Sequence, residues 1–438
     1  MTQSPVLPER TVLPERLARL VALAALPARR VIGLMSGTSL DGLDIALCTL
    51  RGAGPSTQVA LERFLTRPYA PAEQERLRAV VSQERVALAD VCVLNAWLAE
   101  LHARAVRAAL TEWEVGAEQV HLLASHGQTV FHAPGSWRLD ADPPGLARHA
   151  TLQLGDGDLL AVRTGLLTVS DFRQKELAGG GQGAPLAPYA EALLYRGPVP
   201  RILLNLGGIA NFTWLPPLAG AVLQGSVEAP RSAETPRSAE TPRSQDGPRS
   251  GDTGPGNTLL DRAARRTAPR GPGYDADGAA AARGHVHPGL LARLKAHPYF
   301  ALPCPKSTGP EVFGEAYLDG ALAAAGAQGL GGDDLLATLT RLTVETIVDT
   351  LASGTPRLPG TELYVSGGGR HNRTLLAGLA EALPDLCLAD SQALGIPPDA
   401  KEAVLFAVLG NEAVAGPGFP AADGSGRRLS FGKLSFPD

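Results

Sequence analysis

The sequence predicts a duplicated α/β fold of two lobes with a cleft between them, and three observations lead to this prediction. Short apolar runs typical of buried strands alternate with longer stretches of helical spacing. A strand, a glycine-containing turn and a second strand span residues 30–50, and the same arrangement returns at 201–214. The chain has 438 residues, which is enough for two or three domains. No sequence repeat between the two halves is legible, so the duplication is inferred from the order of elements.

Composition excludes several classes of protein. The formal net charge is −4, with no basic tract or acidic tail, which argues against nucleic acid or a strongly basic partner. Aromatic residues make up only 5%, so stacking platforms for single strands are scarce. No apolar run reaches transmembrane length. The four cysteines form no CxxC pair, which favours free thiols over a zinc or redox site. We therefore expect a cytoplasmic protein with no membrane partner.

The first 29 residues carry no assigned chemistry. VLPER occurs at 6–10 and again at 12–16, and its prolines predict an extended arm. The apolar stretch 20–28 is similar to a weak signal-peptide core, but it is short and Arg29 and Arg30 follow it directly. A helical or frayed N-terminal extension is the preferred interpretation.

The first predicted hairpin has an unusually polar tip. Strands are expected at 30–35 and 45–50, with SGTSLDGLD at 36–44 between them. Hydroxyl and N–H groups suit phosphate oxygens, and the two acids suit Mg²⁺ or its waters. The chain has no GxxxxGK[ST], so this is not a Walker A loop. An ordinary hairpin turn is the alternative, although two acids and three hydroxyls are more than a turn requires.

Helical spacing at 70–118 predicts helices that cover one face of the first sheet. A strand at 120–124 then ends in SHGQTVFH (125–132). His126 there could orient a sugar hydroxyl or a phosphate, or it could be a hydrogen-bonded structural residue. TLQLGDG (151–157) is a similar junction of strand and turn, and a helix is expected at 159–164.

The segment DFRQKELAGGGQGAPL (171–186) is the strongest local indication of a site. It follows an apolar run at 166–170, so Asp171 lies at the end of a strand, where open α/β sheets bind ligands. The three glycines at 179–181 allow backbone N–H groups to approach a ligand closely. A carboxylate beside an anion or sugar pocket is predicted; an Asp turn and a flexible loop are the alternative.

In the second half, the segment 217–250 stands apart. PRSAET occurs twice, at 230–235 and 236–241, followed by PRSQDG at 242–247 and PRS at 248–250. Such a repeat cannot bury a core and predicts a disordered surface loop at a hairpin tip. A phosphoregulated or partner-binding segment is the alternative.

Two further polar turns follow the insertion. DTGPGN (252–257) precedes a helix at 259–266, so its amides and the helix N-terminus could face phosphate. A helix at 334–351 and a strand at 362–366 lead to the glycines 367–369, where a flat ring such as adenine could approach the backbone. Further helices are expected at 374–383 and 400–409, and the tail from 410 shows little periodicity.

Ten long sequence blocks occur in an order that is specific to one family. They are GLMSGTSLDGLDIAL (33–47), SHGQTVFHAP (125–134), LQLGDGDLLAVRTG (152–165), DFRQKELAGGGQGAPLAP (171–188), NLGGIANFT (205–213), DTGPGNTLLD (252–261), PKSTGPEVFG (305–314), DLLATLT (334–340), GGGRHN (367–372) and KEAVLFAVL (401–409). In these blocks the chain resembles the anhydro-N-acetylmuramic acid kinases, within the sugar kinase/heat-shock ATPase/actin superfamily. The resemblance covers nearly all of residues 31–432.

The resemblance implies a duplicated actin-like/ribonuclease H-like two-lobe fold with an interlobe cleft. We expect an N-terminal extension over 1–29 and a first lobe over 30–200. The second lobe is expected over 201–410 with the disordered insertion 217–250, and the segment 411–438 is expected to pack back on the lobes.

The family's reaction, so implied, opens the 1,6-anhydro ring of anhydro-N-acetylmuramic acid with water and phosphorylates O6 from ATP. The product would be N-acetylmuramic acid 6-phosphate, formed in peptidoglycan recycling. ATP, Mg²⁺, a small sugar substrate and a homodimer are the implied cofactors and partners.

The resemblance also assigns residues. Asp171 matches the general base that takes a proton from water, and Asp41 is the expected metal ligand. The implied ATP-binding residues are Gly37, Thr38, Ser39, Leu40, Asp41, Gly42, Asp44, Gly207, Gly208, Asp252, Thr253, Gly254, Gly367, Gly368 and Gly369. The implied substrate-binding residues are Ser125, His126, Gln128, Gln153, Gly155, Asp156, Arg173, Gly181 and Gln182.

Three departures from the family pattern stand out. Glu176 replaces an Asp five residues after Asp171, which is a longer carboxylate. Pro310 replaces the Arg of the family's STGRE, which removes a cation. A Phe common before DTGPGN is absent, because the insertion joins at Gly251.

Two other functions remain open at this stage. A kinase or phosphatase of the same superfamily could act on another sugar or small carboxylate, with Asp171 serving a free hydroxyl and no ring opening. A non-catalytic ATP-dependent sensor would tend to lose acids such as Asp41, Asp171 and Asp252, and all three are present.

Overall fold

A computed structural model describes residues 14–37, 39–134, 149–218, 248–309, 311–356 and 360–438. Three features of the sequence analysis lie outside these residues: the first VLPER copy, Pro310 and nearly all of the insertion 217–250. Thr38 of the predicted phosphate hairpin also lies outside them. The chain divides into two compact units, the first formed by 1–194 and 399–438 and the second by 195–398.

The strands and helices alternate through most of the chain. The strands are β1 Ala28–Ser36, β2 Gly42–Arg51, β3 Gln58–Pro68, β4 Leu122–Pro134, β5 His149–Leu154, β6 Thr168–Ser170, β7 Arg201–Leu206, β8 Ile209–Leu215, β9 Arg249–Pro255, β10 Glu362–Ser366, β11 Cys387–Asp390, β12 Phe419–Pro420, β13 Arg428–Leu429 and β14 Lys433–Ser435. The helices are α1 Glu15–Ala25, α2 Pro71–Arg78, α3 Leu88–Glu112, α4 Gly157–Thr164, α5 Arg173–Ala178, α6 Ala187–Leu194, α7 Asn257–Thr267, α8 Ala279–Arg283, α9 Pro288–Lys295, α10 Glu315–Ala324, α11 Gly332–Gly354, α12 Arg373–Ala382 and α13 Lys401–Ala415.

The sheet of the first unit has the order β3-β2-β1-β4-β6, with β14 added beyond β6 and β5 paired to β4. β1, β2 and β3 form an antiparallel meander, whereas β1, β4 and β6 run parallel. Most residues of β1 and β2 are buried, because the sheet is covered on both faces. Helix α3 contributes its apolar stripe, including Leu94 and Leu98, to one core. Helix α13 packs on β1, β2 and β4.

The sheet of the second unit repeats this arrangement, with the order β9-β8-β7-β10-β11. Again the first three strands are antiparallel, and the last two run parallel to the first. Helix α11 is buried along most of its length and shares one core with β7, β8 and β10. The same strand order in two units confirms the predicted fold class of a duplicated α/β architecture of the ribonuclease H-like type.

The division into units differs from the boundaries expected from the sequence at 200 and 410. Helix α13 belongs to the first unit although residues 201–410 were assigned to the second lobe. Its residues 403–412 are all buried, so this part of the helix has no exposed face and its periodicity does not identify the sheet that it covers. Pairing between β14 and β6 keeps the C-terminal segment in the same unit.

Near the termini the structure adds detail to the sequence analysis. Helix α1 forms part of the predicted N-terminal extension, and Arg29 donates to the carbonyl oxygens of Leu26 and Gly52, with Nη2 2.7 Å from Gly52 O. The tail from 410, for which no element was predicted, contains β12, β13 and β14. No helix in the described part of the chain is long and apolar enough to cross a membrane.

Candidate functional site

The parallel strands of the first unit bring three predicted segments to one edge of the sheet. Ser36, at the end of β1, is in register with Gln128 of β4, and Ser125 of β4 is in register with Ser170 of β6. The hairpin tip, the SHGQ segment and Asp171 therefore follow the same carboxyl edge, which is where α/β sheets bind ligands.

Asp171 follows β6 directly and adopts an unusual backbone conformation. Its φ is +53°, a left-handed value that is uncommon for residues other than glycine. Such a conformation costs about 1 kcal/mol and persists where neighbouring structure imposes it. The Asp171 side chain is 27% exposed, and its Oδ2 accepts a hydrogen bond from Nζ of Lys433. Asp171 thus keeps access to solvent while one carboxylate oxygen is held.

Half-buried Arg173 and buried His126 form a pair beside Asp171. Nε of Arg173 donates to Nε2 of His126 at 2.9 Å, and Nδ1 of His126 lies 2.8 Å from the carbonyl oxygen of Gly127. This pattern assigns the proton to Nδ1 and leaves the ring neutral. Burial, with a contribution from the Arg173 charge, lowers the pKa of His126 well below its ordinary value. Both ring nitrogens are occupied, so His126 acts on a ligand only through Arg173.

Glu176 braces the glycine loop that follows Asp171. Its carboxylate is buried, and Oε2 accepts a hydrogen bond from the N–H of Gly183. The carbonyl oxygen of Gly183 accepts from Nη1 of Arg173 at 2.8 Å, so both backbone groups of this residue are held. A Cβ at Gly181 would lie 1.7 Å from Oε1 of Glu176, so any larger residue there would displace this carboxylate. Gln182 between them is exposed. Glu176, which replaces the Asp of the family pattern, therefore has a structural partner in the backbone of Gly183.

Two carboxylates balance the charge of Arg173. Burial lowers the pKa of Arg173 to about 10, while Glu402 and Glu176 act in the opposite direction. Burial raises the pKa of Glu402 although its side chain is exposed to solvent. A carboxylate surrounded by protein but open to water on one side has both properties, so Glu402 lies beside the arginine and still reaches solvent.

The hairpin between β1 and β2 holds its acids in two different environments. Oγ of Ser39 donates to Oδ1 of exposed Asp41 at 2.8 Å. Asp44 accepts from Oγ1 of Thr66 at 2.6 Å, and burial raises its pKa, with Asp41 and Asp399 adding to the effect. In the described ranges, no group of three or more His, Cys, Asp or Glu side chains is placed to hold a metal ion. A single carboxylate such as Asp41 fits Mg²⁺, which commonly takes one or two carboxylates together with substrate phosphates.

Gln128 is a predicted substrate contact that the geometry does not support. It is fully buried, its Oε1 accepts from Oγ of Ser36 at 2.6 Å, and its Nε2 donates to the carbonyl oxygen of Thr129 at 3.1 Å. Ser36 Oγ also lies 2.8 Å from the Tyr69 hydroxyl, which in turn lies 2.8 Å from Nε2 of His102. Gln128 therefore belongs to a buried chain that supports the base of the hairpin.

The other predicted substrate-binding residues of the first unit differ in whether their polar atoms are free to bind a ligand. Asp156 caps helix α4, because its Oδ1 accepts from the N–H of Leu159 at 2.9 Å. The N–H of Gly155 donates to Oδ1 of Asn95 at 2.8 Å. Ser125 Oγ and Gln153 Oε1 are buried and lack a hydrogen-bond partner among the described residues. Buried polar atoms of this kind usually have a partner, so Ser125 and Gln153 are better placed than Asp156 to meet a ligand or water.

In the second unit, the glycine turn between β7 and β8 contacts the start of helix α7. The carbonyl oxygen of Gly207 accepts from the N–H of Asn257 at 2.8 Å, and that of Gly208 accepts from Gly256 at 2.8 Å and Thr258 at 3.1 Å. These first amides of α7 are used inside the protein. The expectation that they face phosphate is therefore not supported by this conformation, although Gly207 and Gly208 do meet the DTGPGN segment.

Asp252 of β9 is a half-buried acid with a strongly perturbed pKa. Its Oδ2 accepts from the N–H of Thr308 at 2.8 Å. Burial raises its pKa to about 6, and the nearby charge of Glu311 adds to the effect. Thr253 is fully buried and donates to the carbonyl oxygen of Ala210, and Gly254 packs against Phe300. An acid with a raised pKa is a favourable partner for a cation when it is ionised and for a hydrogen-bond acceptor when it is protonated.

The glycines after β10 pack against the end of β7. Gly367 has φ +79°, and a Cβ there would lie 2.6 Å from Oδ1 of Asn205. A Cβ at Gly369 would lie 2.6 Å from Cβ of Leu206, whereas Gly368 has more room. Because β7 and β10 pair in parallel, the predicted segments 207–208, 252–257 and 367–369 lie together at one edge of the second sheet.

Two residues of the first unit were not among the sequence-derived candidates. Glu402 lies in the block KEAVLFAVL, which carried the resemblance but no assigned role. Lys433 lies in a tail without clear periodicity, and no local pattern connects it with Asp171. Pairing of β14 with β6 brings Lys433 next to Asp171. A strand of three residues such as β14 gives almost no periodic signal in the sequence.

Comparison with known proteins gives consistent matches along the chain. The family model described as anhydro-N-acetylmuramic acid kinase matches residues 29–224 and 243–436. A Pseudoalteromonas atlantica protein of that name is 41% identical over 416 residues, covering 94% of this chain and 96% of its own. A Salinibacter ruber protein of the same name is 42% identical over 424 residues, covering 95% and 99%.

Solved structures match less well. The activator of the 2-hydroxyisocaproyl-CoA dehydratase from Clostridium difficile, with bound ADPNP, has a TM-score of 0.37 at 10% identity and covers 88% of this chain and 95% of its own. A likeness at this level carries no argument about function. The family model and the curated relatives do, and they span almost the whole sequence, so the chain belongs to the anhydro-N-acetylmuramic acid kinase family.

Proposed function

We propose that this chain is an ATP-dependent kinase that opens the 1,6-anhydro ring of anhydro-N-acetylmuramic acid and phosphorylates O6. The observation that carries the proposal is the position of Asp171 within a chain of this family. The acid lies directly after a parallel strand, partly open to solvent, beside a braced glycine loop and a half-buried arginine. A carboxylate in this position is suited to act as a general base.

The proposed reaction balances with one base and one water. Asp171 removes a proton from water, and the water oxygen bonds to the anomeric carbon of the sugar. The bond between that carbon and O6 breaks, and its electron pair stays on O6. O6 then attacks the γ-phosphorus of ATP and ADP leaves. N-acetylmuramic acid 6-phosphate is the product, and its formation serves peptidoglycan recycling.

Other groups would bind and orient the substrates. Arg173 is a candidate partner for the sugar's carboxylate, because guanidinium groups match carboxylates in charge and geometry. The hairpin residues 37–44 and the glycine segments 207–208 and 367–369 are candidates for contacts to ATP. Mg²⁺, held through Asp41, would neutralise the developing charge on the phosphates. Positioning of this kind supplies most of the acceleration in phosphoryl transfer.

Mass spectrometry of the product from anhydro-N-acetylmuramic acid, Mg-ATP and H₂¹⁸O tests the proposal. We expect a product with one added phosphoryl group and one labelled water oxygen. Asp171→Asn should lower kcat by about 10²- to 10⁴-fold, because the general base is lost. Asp158→Asn is a suitable control, since Asp158 is an exposed acid in helix α4.

The result separates this function from its rivals. ATP consumption without water entering the sugar would replace ring opening by a plain sugar kinase. An intact protein that turns over neither ATP nor the sugar would favour another substrate or a non-catalytic role.

We further propose a cytoplasmic homodimer that requires Mg²⁺ for turnover. Light scattering on the purified protein should give twice the mass of the chain. Removal of Mg²⁺ with EDTA should abolish phosphorylation, and added Mg²⁺ should restore it. An active enzyme that is monomeric would contradict the proposed dimer. Turnover in the presence of EDTA would contradict the proposed requirement for Mg²⁺.

A further inference from the structure

Lys433 is an unassigned cation at the proposed general base. Its Nζ donates to Oδ2 of Asp171, and the two residues are far apart in sequence. In the described part of the chain, the other carboxylate oxygen, Oδ1, receives no hydrogen bond. The contact therefore distinguishes the two oxygens of Asp171.

The backbone places Lys433 next to Asp171. β14 pairs antiparallel with β6, and Lys433 lies opposite Ser170, the residue before Asp171. Directly opposed residues in such a pair have Cα atoms about 5 Å apart, so the lysine stem starts beside the acid. Gly432 has φ +96°, and a Cβ there would lie 2.4 Å from Cγ1 of Val169. Only glycine lets the chain approach β6 this closely.

Residues before Lys433 anchor the same segment. Phe431 is buried, with its ring 4.8 Å from that of Tyr189 and 5.1 Å from that of Phe419. Oγ of Ser430 donates to the carbonyl oxygen of Ala413 in helix α13 at 3.1 Å. Lys433 consequently extends from a fixed strand, and its position relative to Asp171 is set by the fold.

The pair contributes little to stability but can contribute to geometry. The Lys433 side chain is 62% exposed, and solvated ion pairs of this kind stabilise a protein by about 0–1 kcal/mol. A general base, in contrast, must present its accepting oxygen within hydrogen-bond reach of the proton. Holding Oδ2 fixes the carboxylate plane and leaves Oδ1 to accept the proton from water.

We propose that Lys433 is a positioning residue for Asp171: it holds Oδ2 so that Oδ1 removes the proton from the attacking water. The inference rests on the proposed function, since it names the oxygen of the same base that reacts. Lys433 itself touches neither the sugar nor ATP in this role.

Steady-state kinetics of Lys433→Met and Lys433→Arg test this inference. Lys433→Met should lower kcat by about 10- to 100-fold, the scale expected for a misplaced reactive group, with KM for the sugar changed less than about threefold. Lys433→Arg keeps a cationic donor and should retain kcat within about threefold. The melting temperature of both should equal that of the wild type. Arg427→Met removes an exposed ion pair with Asp423 from the same segment and is the matched control.

Three outcomes would overturn the inference: wild-type kcat in Lys433→Met, equal losses in the Met and Arg variants, or a loss of kcat that follows a fall in melting temperature. Reductive methylation of lysines provides a measurement that needs no turnover. Lys433 should react faster in Asp171→Asn than in the wild type, while exposed Lys175 should not change. An inactive wild-type enzyme would instead reject the proposed function, and equal methylation rates would then reject the ion pair.

Discussion

At the scale of single residues, His126 shows how burial fixes a protonation state. The folded ring stays neutral because burial and Arg173 depress its pKa, whereas the unfolded ring takes up a proton at about pH 6.5. Below that pH the unfolded state binds more protons, so stability is lost as pH falls.

His126→Gln should lose less stability than the wild type between pH 7 and pH 5. The glutamine oxygen can still accept from Arg173 and does not titrate in this range. Thermal unfolding followed by circular dichroism across this range measures the effect. His285→Gln, at an exposed position, is the control variant. Identical pH profiles for His126→Gln and the wild type would contradict a neutral buried ring.

Asp252, in the second unit, should change the stability of the protein with pH in the direction opposite to His126. Its folded pKa is about 6, above the ordinary value of 3.8. Between these values the folded state binds more protons than the unfolded state, so this group makes the protein more stable as pH falls through 6 towards 4. Asp252→Asn should remove that gain and raise stability at pH 7 to 8. The chemical shift of the Asp252 carboxyl carbon, followed by NMR as a function of pH, measures the pKa of Asp252 directly. A pKa near 4 would contradict the prediction.

At the scale of elements, the glycine loop after α5 depends on one buried carboxylate. Glu176→Ala would leave the N–H of Gly183 without its acceptor, at a cost of about 1–3 kcal/mol. Because Gly183 also holds Arg173, we expect KM for the sugar to rise as well. Glu176→Asp restores the family residue. It should lose less stability than Glu176→Ala only if the loop adjusts to the shorter side chain. Glu75→Ala removes an exposed glutamate in α2 and is the control; equal stability of all three variants would show that the loop does not need the brace.

The elements also show what the sequence could and could not predict. Helices α3 and α11 and strands β1 and β2 carry long apolar patterns, and their positions agree with the sequence analysis. β14 has three residues and gives no usable period. Asp171 and its glycines are adjacent in sequence and were identified together. The pairs of Arg173 with His126 and of Lys433 with Asp171 depend on which strands become neighbours, which local patterns do not encode.

At the scale of the whole molecule, the repeated strand order explains why two distant parts of the chain carry similar polar turns. In each unit a meander of three strands is followed by two parallel strands, so the turn after the first strand and the segment after the fourth share one edge. The chain leaves the first unit after residue 194 and returns at 399 to add α13 and β14. A sequence-based boundary near 410 missed this return because α13 is buried on all faces over residues 403–412, so its pattern does not show which sheet it covers.

The connection between β8 and β9 provides the last prediction. These strands pair from Ile209 with Pro255 to Trp214 with Arg249, so the chain between them joins two strands that are already paired. The family match omits 225–242, which contains both PRSAET copies. Deletion of 225–242 roughly halves the connection, and halving the length of a connection lowers its closure cost by about 0.6 kcal/mol.

We therefore expect the deletion variant to keep kcat and KM and to melt at the same temperature as the wild type or slightly above it. Removal of 249–251 is the contrasting variant, because it deletes ladder residues opposite Phe212, Thr213 and Trp214 and should destabilise the second unit. Calorimetry and steady-state kinetics on both variants decide the matter. Lower kcat in the 225–242 deletion at an unchanged melting temperature would mean that the repeat takes part in catalysis or substrate binding, since a passive connection cannot alter the rate of a fully folded enzyme.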